Sequence, residues 1–332
     1  MRKQLALVVL LGAVAIGAAA GCGASGGSDE VVLGDKRSDA AGQEQRIAAL
    51  ERRLREKRRA RARDIGSETP AAGGAVAGSS SAQSFAQLES SLGGQAGLTI
   101  GRVGDPDSTF YGSLSSGSAW STIKLAIAAQ VLSEAGGPSG LRGSDGDLIR
   151  SALTASDNAA AAALFDKLAA AHGGIEGGAD AVGEPLRAAG DTRTVVSSQG
   201  RGEFSPYGQT EWPLADQHRF MSRLAAGCVP DSASAQYVLQ LMSEVVPDQQ
   251  WGLGSAGVPA RFKGGWGPGL DGGYLVRQAG VLEIDGPDHA VVVTMAALPG
   301  DGQFATGQQM LNEIAAWVVE HVDGSKATPV GC

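Results

Sequence analysis

Three short stretches occur in order along this chain: Ser121-Thr122-Ile123-Lys124, Ser156-Asp157-Asn158 and Lys263-Gly264-Gly265. In the first stretch, Ser121 and Lys124 stand one helical turn apart, so a helix would place the hydroxyl and the amine on the same face. A serine hydroxyl is a weak nucleophile until a neighbouring base removes its proton. We therefore expect Ser121 to be a nucleophile and Lys124 to be its base.

The pattern of apolar residues around these stretches predicts where strands and helices lie. Residues 98–103 and 109–111 are predicted to be two strands joined by a turn. Residues 120–250 are rich in Ala and Leu with helical spacing, strand patterns return from residue 260 at 274–284 and 290–298, and an amphipathic helix follows at 304–322. This order predicts an α+β fold, in which both ends of the domain build one antiparallel sheet and an all-α lobe is inserted between them.

Together, the three stretches resemble the S-x-x-K, S-D-N and K-T-G motifs of the serine β-lactamases, class A in particular, and of the penicillin-binding proteins. The resemblance extends over residues 82–322, because the predicted order of strands and helices also agrees with that superfamily. It implies a five-stranded antiparallel sheet flanked by helices, with an active-site cleft between the sheet and the helical lobe. It also implies an acyl-enzyme at Ser121, with β-lactams or D-alanyl peptides as substrates.

The resemblance assigns roles to the other polar residues of the motifs. Ser156 would pass a proton to the leaving nitrogen, Asn158 would bind the amide side chain of the substrate, and Lys263 would attract its carboxylate. Free lysine has a pKa near 10.4, so Lys124 can act as a base only when it is buried or lies near another cation. Lys263 is the candidate for that cation.

The third stretch departs from the family pattern at Gly264, where the family has Thr or Ser. The change removes a hydroxyl that helps to bind a carboxylate. Arg277, on the next predicted strand, is a candidate to replace it, although an arginine on the surface of the strand is the simpler interpretation. Gly265 and Trp266 would border the substrate, and the backbone N–H groups of Ser121 and Trp266 would form the oxyanion hole.

A second departure concerns the hydrolysis of the acyl-enzyme. Class A β-lactamases carry Glu-x-x-Leu-Asn between the second and third motifs, and neither of the two asparagines of this chain, Asn158 and Asn312, completes such a motif. Glu203 and Glu211 are the candidates to activate water in its place. Loss of a general base typically slows a step by about 10²- to 10⁴-fold, so an acyl-enzyme that lacks one would persist.

Three functions are compatible with these motifs. The first is a surface-anchored serine hydrolase of the β-lactamase type. The second is a penicillin-binding protein of the D-Ala carboxypeptidase type, which is acylated but deacylates poorly. The third is a non-catalytic lipoprotein that binds cell-wall components. We expect no cofactor and no metal, because no His-x-x-x-His spacing is present, and no histidine is placed for a Ser–His triad.

The beginning of the chain predicts a secretion signal. A positively charged start at residues 1–3 precedes a 16-residue apolar run at 5–20, and residues 19–22 are Ala-Ala-Gly-Cys. An apolar run this short is typical of a signal peptide, since a membrane-spanning helix needs about 20 residues. The run ends in a segment that resembles a lipoprotein box, with Ala19 where Leu is usual. We expect residues 1–21 to be removed and Cys22 to be lipidated, with a simply secreted protein as the alternative.

Residues 22–82 are predicted to form a basic helical arm and a flexible linker. Residues 1–64 carry 13 Lys and Arg against 8 Asp and Glu, whereas residues 65–332 carry 14 against 27. The basic stretch 44–63 is either a solvated spacer or a contact for anionic lipid headgroups at the cell membrane. Residues 65–82 are rich in Gly, Ala and Ser, which is typical of a linker.

The remaining residues, 83–332, are predicted to form the catalytic domain. Their acidic charge argues against nucleic-acid binding, and we expect a monomer. Besides Cys22 the chain contains Cys228 and Cys332. An even pair outside the cytoplasm is compatible with one disulfide and also with two separate thiols.

Overall fold

The structure is a computed structural model that describes residues 79–284, 286, 289–324 and 329–332. The predicted signal peptide, the predicted lipidation site Cys22 and the basic arm lie outside the described residues. The first described helix, α1, spans Ser79–Ser91. It therefore begins inside the segment predicted to be linker.

Seven strands are described, with these bounds: β1 Gly94–Arg102, β2 Thr109–Gly112, β3 Ser116–Ser118, β4 Glu211–Pro213, β5 Ala260–Pro268, β6 Tyr274–Glu283 and β7 Ala290–Pro299. Five of them form one antiparallel sheet in the order β2-β1-β7-β6-β5. Because β7 lies between β1 and β6, strands from both ends of the domain meet in one sheet. The predicted α+β fold with a five-stranded antiparallel sheet is confirmed.

Helices cover both faces of this sheet. After α1 they span α2 Lys124–Ala135, α3 Asp145–Thr154, α4 Asn158–Ala171, α5 Ile175–Ala188, α6 Leu214–Ala225, α7 Ser232–Met242 and α8 Phe304–His321. Helix α8 packs on one face, in a hydrophobic cluster with α1, while α6 and the helical lobe cover the other face, in a second cluster. A strand that is covered on both faces can be apolar along its whole length, and nearly every residue of β7 is buried.

A second, two-stranded sheet pairs β3 with β4, and the sequence analysis did not predict it. Each strand has three residues, Ser-Gly-Ser and Glu-Trp-Pro, which carry little strand signal. Strand β3 runs into the segment that carries Ser121. Strand β4 follows residues 191–210, which we call the cleft loop. The small sheet therefore joins two segments that border the predicted site.

Two further features concern the edges of the domain. Cys228 and Cys332 form a disulfide with their Cα atoms 5.6 Å apart, and the Val330 N–H donates to the carbonyl of Val103 at 2.8 Å. The C-terminus is thus attached beside the end of β1. None of the helices in the described part of the chain combines the length and the apolar character that a membrane span requires.

Candidate active site

Ser121 lies in a tight helical turn, Trp120–Ile123, that continues into α2. Trp120, the residue before Ser121, adopts a φ of 47°, in the left-handed region that residues other than glycine rarely adopt. Such strained residues persist where the surrounding structure holds them, and they are concentrated at functional sites. Ser121 borders a cleft of about 550 Å³.

Lys124 occupies the first position of α2, one turn after Ser121, as predicted. Its side chain is buried, and its Nζ donates to the carbonyl of Ser156 at 2.6 Å and to Asn158 Oδ1 at 2.8 Å. The hydroxyl Oγ of Ser156 lies 3.4 Å from the same Nζ. Burial lowers the pKa of Lys124 to about 8, partly offset by the negative charge of Asp157. A neutral amine is therefore accessible near physiological pH.

Lys263, on β5, approaches the same hydroxyl from the other side. Its Nζ lies 2.8 Å from Ser156 Oγ and 2.8 Å from the carbonyl of Gly264. Burial first, and then the neighbouring Lys124 ammonium, hold the pKa of Lys263 well below its usual range. Of the two causes expected for a lowered pKa of Lys124, burial is the one that acts, whereas Lys263, the candidate second cation, is not among the charges that shift it.

The Ser156-Asp157-Asn158 stretch both begins a helix and contributes to this cluster. The Asp157 carboxylate caps α4 by accepting hydrogen bonds from the N–H groups of Ala159 and Ala160. Ser156 itself adopts a φ of 57°. The cap fixes the start of α4. Ser156, which precedes the capping residue, directs its carbonyl and hydroxyl oxygens towards Lys124.

Gly265 lets β5 approach the nucleophile closely. A Cβ at this position would lie 2.8 Å from the backbone nitrogens of both Ser121 and Thr122, closer than real Cβ contacts allow. Trp266, the next residue, borders the cleft and stacks on Phe304 with ring centroids 5.2 Å apart. The structure thus brings β5 and the N–H of Ser121 together, as an oxyanion hole would require.

Aromatic side chains form much of the cleft wall. The aromatic residues that line it are Trp120, Phe165, Phe204, Tyr207, Trp266 and Tyr274. Among the predicted site residues, Lys124 and Asn158 also line the cleft, whereas Ser156 and Lys263 reach it through their contacts with Lys124 and with each other. The described residues include no group of three or more His, Cys, Asp and Glu side chains suited to a metal ion.

Comparison with known proteins supports the arrangement. Residues 136–322, more than half of the chain, match the sequence model of the β-lactamase enzyme family. The chain belongs to this family. No curated protein matches the chain in sequence.

The β-lactamase fold is also evident from solved structures. The β-lactamase of Streptosporangium roseum superposes with a TM-score of 0.57 at 16% identity, over 73% of this chain and 98% of that one. The β-lactamase of Desulfarculus baarsii gives 0.55 at 22% identity, over 73% and 96%. An ancestral class A β-lactamase gives 0.55 at 21% identity, over 72% and 99%. At these levels of identity the similarities show a shared fold.

Within the β-lactamase fold, a tryptophan explains the glycine at position 264. A Cβ on Gly264 would lie 3.1 Å from the ring of Trp251, which is buried and also packs against Trp266. A side chain at 264 would therefore require the indole to shift by a few tenths of an ångström. The sequence showed that the hydroxyl is missing, but only the fold shows which residue packs against this position.

Arg277 does not replace that hydroxyl. It is 1% exposed, so the interpretation as a surface arginine is wrong, and it is not among the residues that line the cleft. Its guanidinium instead donates hydrogen bonds to protein oxygen atoms beneath the nucleophile segment. A strand position in the middle of the sheet, with helices on both faces, buries a residue whatever its charge.

The two acids predicted to activate water are separated by the fold. Glu203, in the cleft loop, lines the cleft, and its side chain is exposed. Glu211, on β4, accepts a hydrogen bond from Ser116 Oγ at 2.6 Å and does not line the cleft. A third acid, Asp166, does line the cleft and was missed. The signal was available, because residue 166 lies eight positions after Asn158 on α4, on the same helical face.

The cleft loop is attached to β5 by Arg201. Its guanidinium donates to the carbonyls of Pro268 and Gly269 and lies 4.9 Å from the ring centre of Phe204. A cation over an aromatic face is attracted to its electrons. The loop that stands in place of the Glu-x-x-Leu-Asn segment is thus held across one end of the cleft by a residue that sequence analysis did not select.

Proposed function

We propose that this protein is a serine hydrolase that is acylated at Ser121 by β-lactams or by D-alanyl peptides. The observation that carries the proposal is the meeting of Lys124 and Lys263 at Ser156, in a β-lactamase fold whose cleft is lined by both Ser121 and Lys124. Two buried amines around one hydroxyl provide a route for a proton. Clustered ionisable groups with shifted pKa values in a cleft are typical of catalytic sites.

The proposed acylation uses these groups in turn. The neutral amine of Lys124 takes the proton of Ser121, and the Ser121 oxygen attacks the carbonyl carbon of the substrate. The negative oxygen that forms is stabilised by the backbone N–H groups of Ser121 and Trp266. The C–N bond then breaks, the leaving nitrogen takes a proton from Ser156, and Ser156 is reprotonated by Lys124. The product is an ester of Ser121, and Asn158, which lines the cleft, binds the amide side chain of the substrate.

The hydrolysis of this ester is proposed to be slow. Glu203 and Asp166 are the carboxylates in the cleft lining, and neither makes a hydrogen bond or an ion pair with another described residue. A general base must be held within hydrogen-bond reach of the water that it activates. This observation favours the second candidate function, a penicillin-binding type that is acylated quickly and deacylated slowly.

The decisive experiment follows the purified full-length chain after mixing with a chromogenic cephalosporin, by absorbance and by intact mass. We expect an adduct on Ser121 and slow turnover. Ser121→Ala should abolish both signals, and Ser90→Ala, at an exposed serine of α1, should change neither. A wild-type chain that shows neither adduct nor turnover, with the cephalosporin or with a D-alanyl-D-alanine peptide, would contradict the proposal and leave a binding lipoprotein.

We further propose that the protein works outside the cytoplasm, as a monomer tethered to the cell membrane by a lipid on Cys22. The proposal is supported by the charged start, the apolar run and the small residues before Cys22. Cys22→Ala should move the protein from the membrane fraction to the soluble fraction, with Cys228→Ala as a control that keeps the anchor. Equal membrane retention of the Cys22 variant would refute the lipid anchor.

A further inference from the structure

Arg277 is a buried cation on the same side of the sheet as the nucleophile. It pairs with Gly265 across β5 and β6, and directly paired residues of antiparallel strands direct their side chains to the same face. On that face, the position of a Cβ on Gly265 lies 2.8 Å from the backbone nitrogen of Ser121. The guanidinium of Arg277 therefore extends beneath the segment that carries Ser121.

The hydrogen bonds of Arg277 go to the small sheet. Its Nη1 donates to the carbonyls of Gly117 at 2.7 Å and Ser118 at 3.2 Å, both on β3. Its Nη2 donates to the carbonyl of Trp212, on β4, at 3.1 Å. One side chain thus holds the strand that leads into the nucleophile segment and the strand that follows the cleft loop.

A relay through Gln217 extends the contact to the neighbour of Ser121. Arg277 Nη2 donates to Gln217 Oε1 at 2.7 Å, and Gln217 Nε2 donates to Thr122 Oγ1 at 2.9 Å. Thr122 Oγ1 in turn donates to the carbonyl of Ala119 at 2.6 Å. Gln217 and Thr122 are completely buried. The relay therefore connects the guanidinium to both ends of the turn that presents Ser121.

The guanidinium of Arg277 is charged although it is buried, which is unfavourable for a charge. Burial lowers the pKa of Arg277 to about 10, with a small opposing effect from Glu211, so the group remains protonated at neutral pH. No carboxylate of the described residues forms an ion pair with it, and carbonyl and amide oxygens hold it instead. Its Nη1 and Nη2 are satisfied in this way, while its Nε is buried without a hydrogen-bond partner. A displacement would leave further buried polar groups unsatisfied, so the network favours one geometry.

Packing alone would hold this segment weakly. Strand β3 consists of Ser116, Gly117 and Ser118, none of which has an apolar side chain. Trp120, two residues later, is in a strained backbone conformation. A segment with few apolar contacts and a strained residue needs other interactions to keep its geometry. The hydrogen bonds from Arg277 add to the pairing of β3 with β4 and to the bond from the Ala119 N–H to the Thr210 carbonyl, which also hold this segment.

We propose that Arg277 is a positioning residue for acylation: through Gly117, Ser118 and the Gln217–Thr122 relay, it holds the Ser121 hydroxyl and N–H against β5. Arg277 does not line the cleft, so it acts without touching the substrate. The inference rests on the proposed acylation at Ser121 and names a residue that the three sequence motifs do not include.

The test measures the first-order acylation rate constant and the dissociation constant of the preceding complex separately, on the full-length chain with a penicillin. We expect Arg277→Met to lower the rate constant about 10- to 100-fold, because misplacement of reacting groups by about 1 Å costs that much. The dissociation constant should change less than about twofold. Arg277→Lys, which keeps the charge and some of the hydrogen bonds, should recover part of the loss.

Matched variants make the outcome specific. Arg261→Met removes an arginine that pairs with Glu283 on the same two strands, and it should leave the rate constant unchanged. Thr122→Val keeps the volume but removes the hydroxyl that Gln217 contacts, and it should lower the rate constant about threefold or more even if Arg277→Met does not fold. Thr122→Ser, which keeps the hydroxyl, should acylate as the wild type does.

A measurement that needs no substrate tests the positioning role of Arg277 independently of the proposed function. Amide hydrogen exchange of residues 117–123 should be faster in Arg277→Met than in Arg261→Met or in the wild type. The positioning role would be overturned if folded Arg277→Met acylated at the wild-type rate constant or lost only affinity for the penicillin. Unchanged hydrogen exchange of residues 117–123 would overturn it as well. A wild type that is never acylated would refute the proposed function, while the exchange comparison would still decide whether Arg277 holds the segment.

Discussion

The nucleophile wall of the cleft and the cleft loop differ in how their functional groups are held. On the nucleophile wall, Lys124 and Lys263 are buried, and they meet at the hydroxyl of Ser156. The cleft loop, in which Phe204 packs against Trp120, presents Glu203, which is exposed and whose carboxylate makes no hydrogen bond or ion pair with a described residue. Buried polar groups must be satisfied, which restricts their geometry, whereas an exposed side chain remains free to move.

The groups proposed to form the acyl-enzyme are therefore held in fixed positions, whereas the groups that could hydrolyse it are not. The groups needed to form an acyl-enzyme are placed before a substrate arrives, which is the property that makes electrostatic catalysis effective. The carboxylates that could help to break it are exposed, although the cleft loop that carries Glu203 is attached to the end of β5 by Arg201. Acylation and deacylation should therefore respond differently to mutation and to pH.

The largest expected effect is on the nucleophile wall. Lys124→Met should lower the acylation rate constant by about 10²- to 10⁴-fold, because loss of a general base has that cost. Lys167→Met, at an exposed lysine of α4 that pairs with Asp145, is the control and should change the rate constant less than about twofold. Stopped-flow fluorescence with a labelled penicillin measures both. Near-normal acylation of Lys124→Met would show that another group is the base.

The second effect is the pH dependence of acylation. The pKa of Lys124 is lowered to about 8, mainly by burial, and only the neutral amine can accept the proton of Ser121. Well below that pKa the neutral fraction rises tenfold per pH unit, so the acylation rate constant should rise about 50-fold between pH 6 and pH 8, where half of the amine is neutral, and level off above about pH 9. A profile that is flat over this range would mean that Lys124 is not the base.

The smallest expected effect is at the two exposed carboxylates that line the cleft. Glu203→Gln and Asp166→Asn should each change the deacylation rate constant by less than about threefold, because neither carboxylate is fixed by a described partner. Glu211→Gln, at the acid that Ser116 holds away from the cleft, is the control and should leave deacylation unchanged. The measurement is the loss of the mass adduct over time. A hundredfold slower deacylation of Glu203→Gln would end the contrast and identify Glu203 as the base.

Much of the site was predictable because its residues are close in sequence and belong to short motifs. Ser121 and Lys124 needed only the helical repeat, and Ser156-Asp157-Asn158 needed only the rule for helix caps together with the family resemblance. Asp166 was equally predictable from its spacing after Asn158, but its position had no meaning until the cleft was known. The small sheet was not predictable, because its strands, Ser-Gly-Ser and Glu-Trp-Pro, have three residues each and are too short to show an alternation of apolar and polar residues.

Local periodicity and residue type are enough to predict the strands of the main sheet, the motif residues and the absence of a Glu-x-x-Leu-Asn segment. Which distant residues meet depends on how the whole domain packs. Packing brought the ring of Trp251 against Gly264, buried Arg277 below the nucleophile segment and kept Glu211 out of the cleft lining. The physical reason is that burial and long-range hydrogen bonds follow from how segments pack, and a side chain of any type takes the environment that its backbone position imposes.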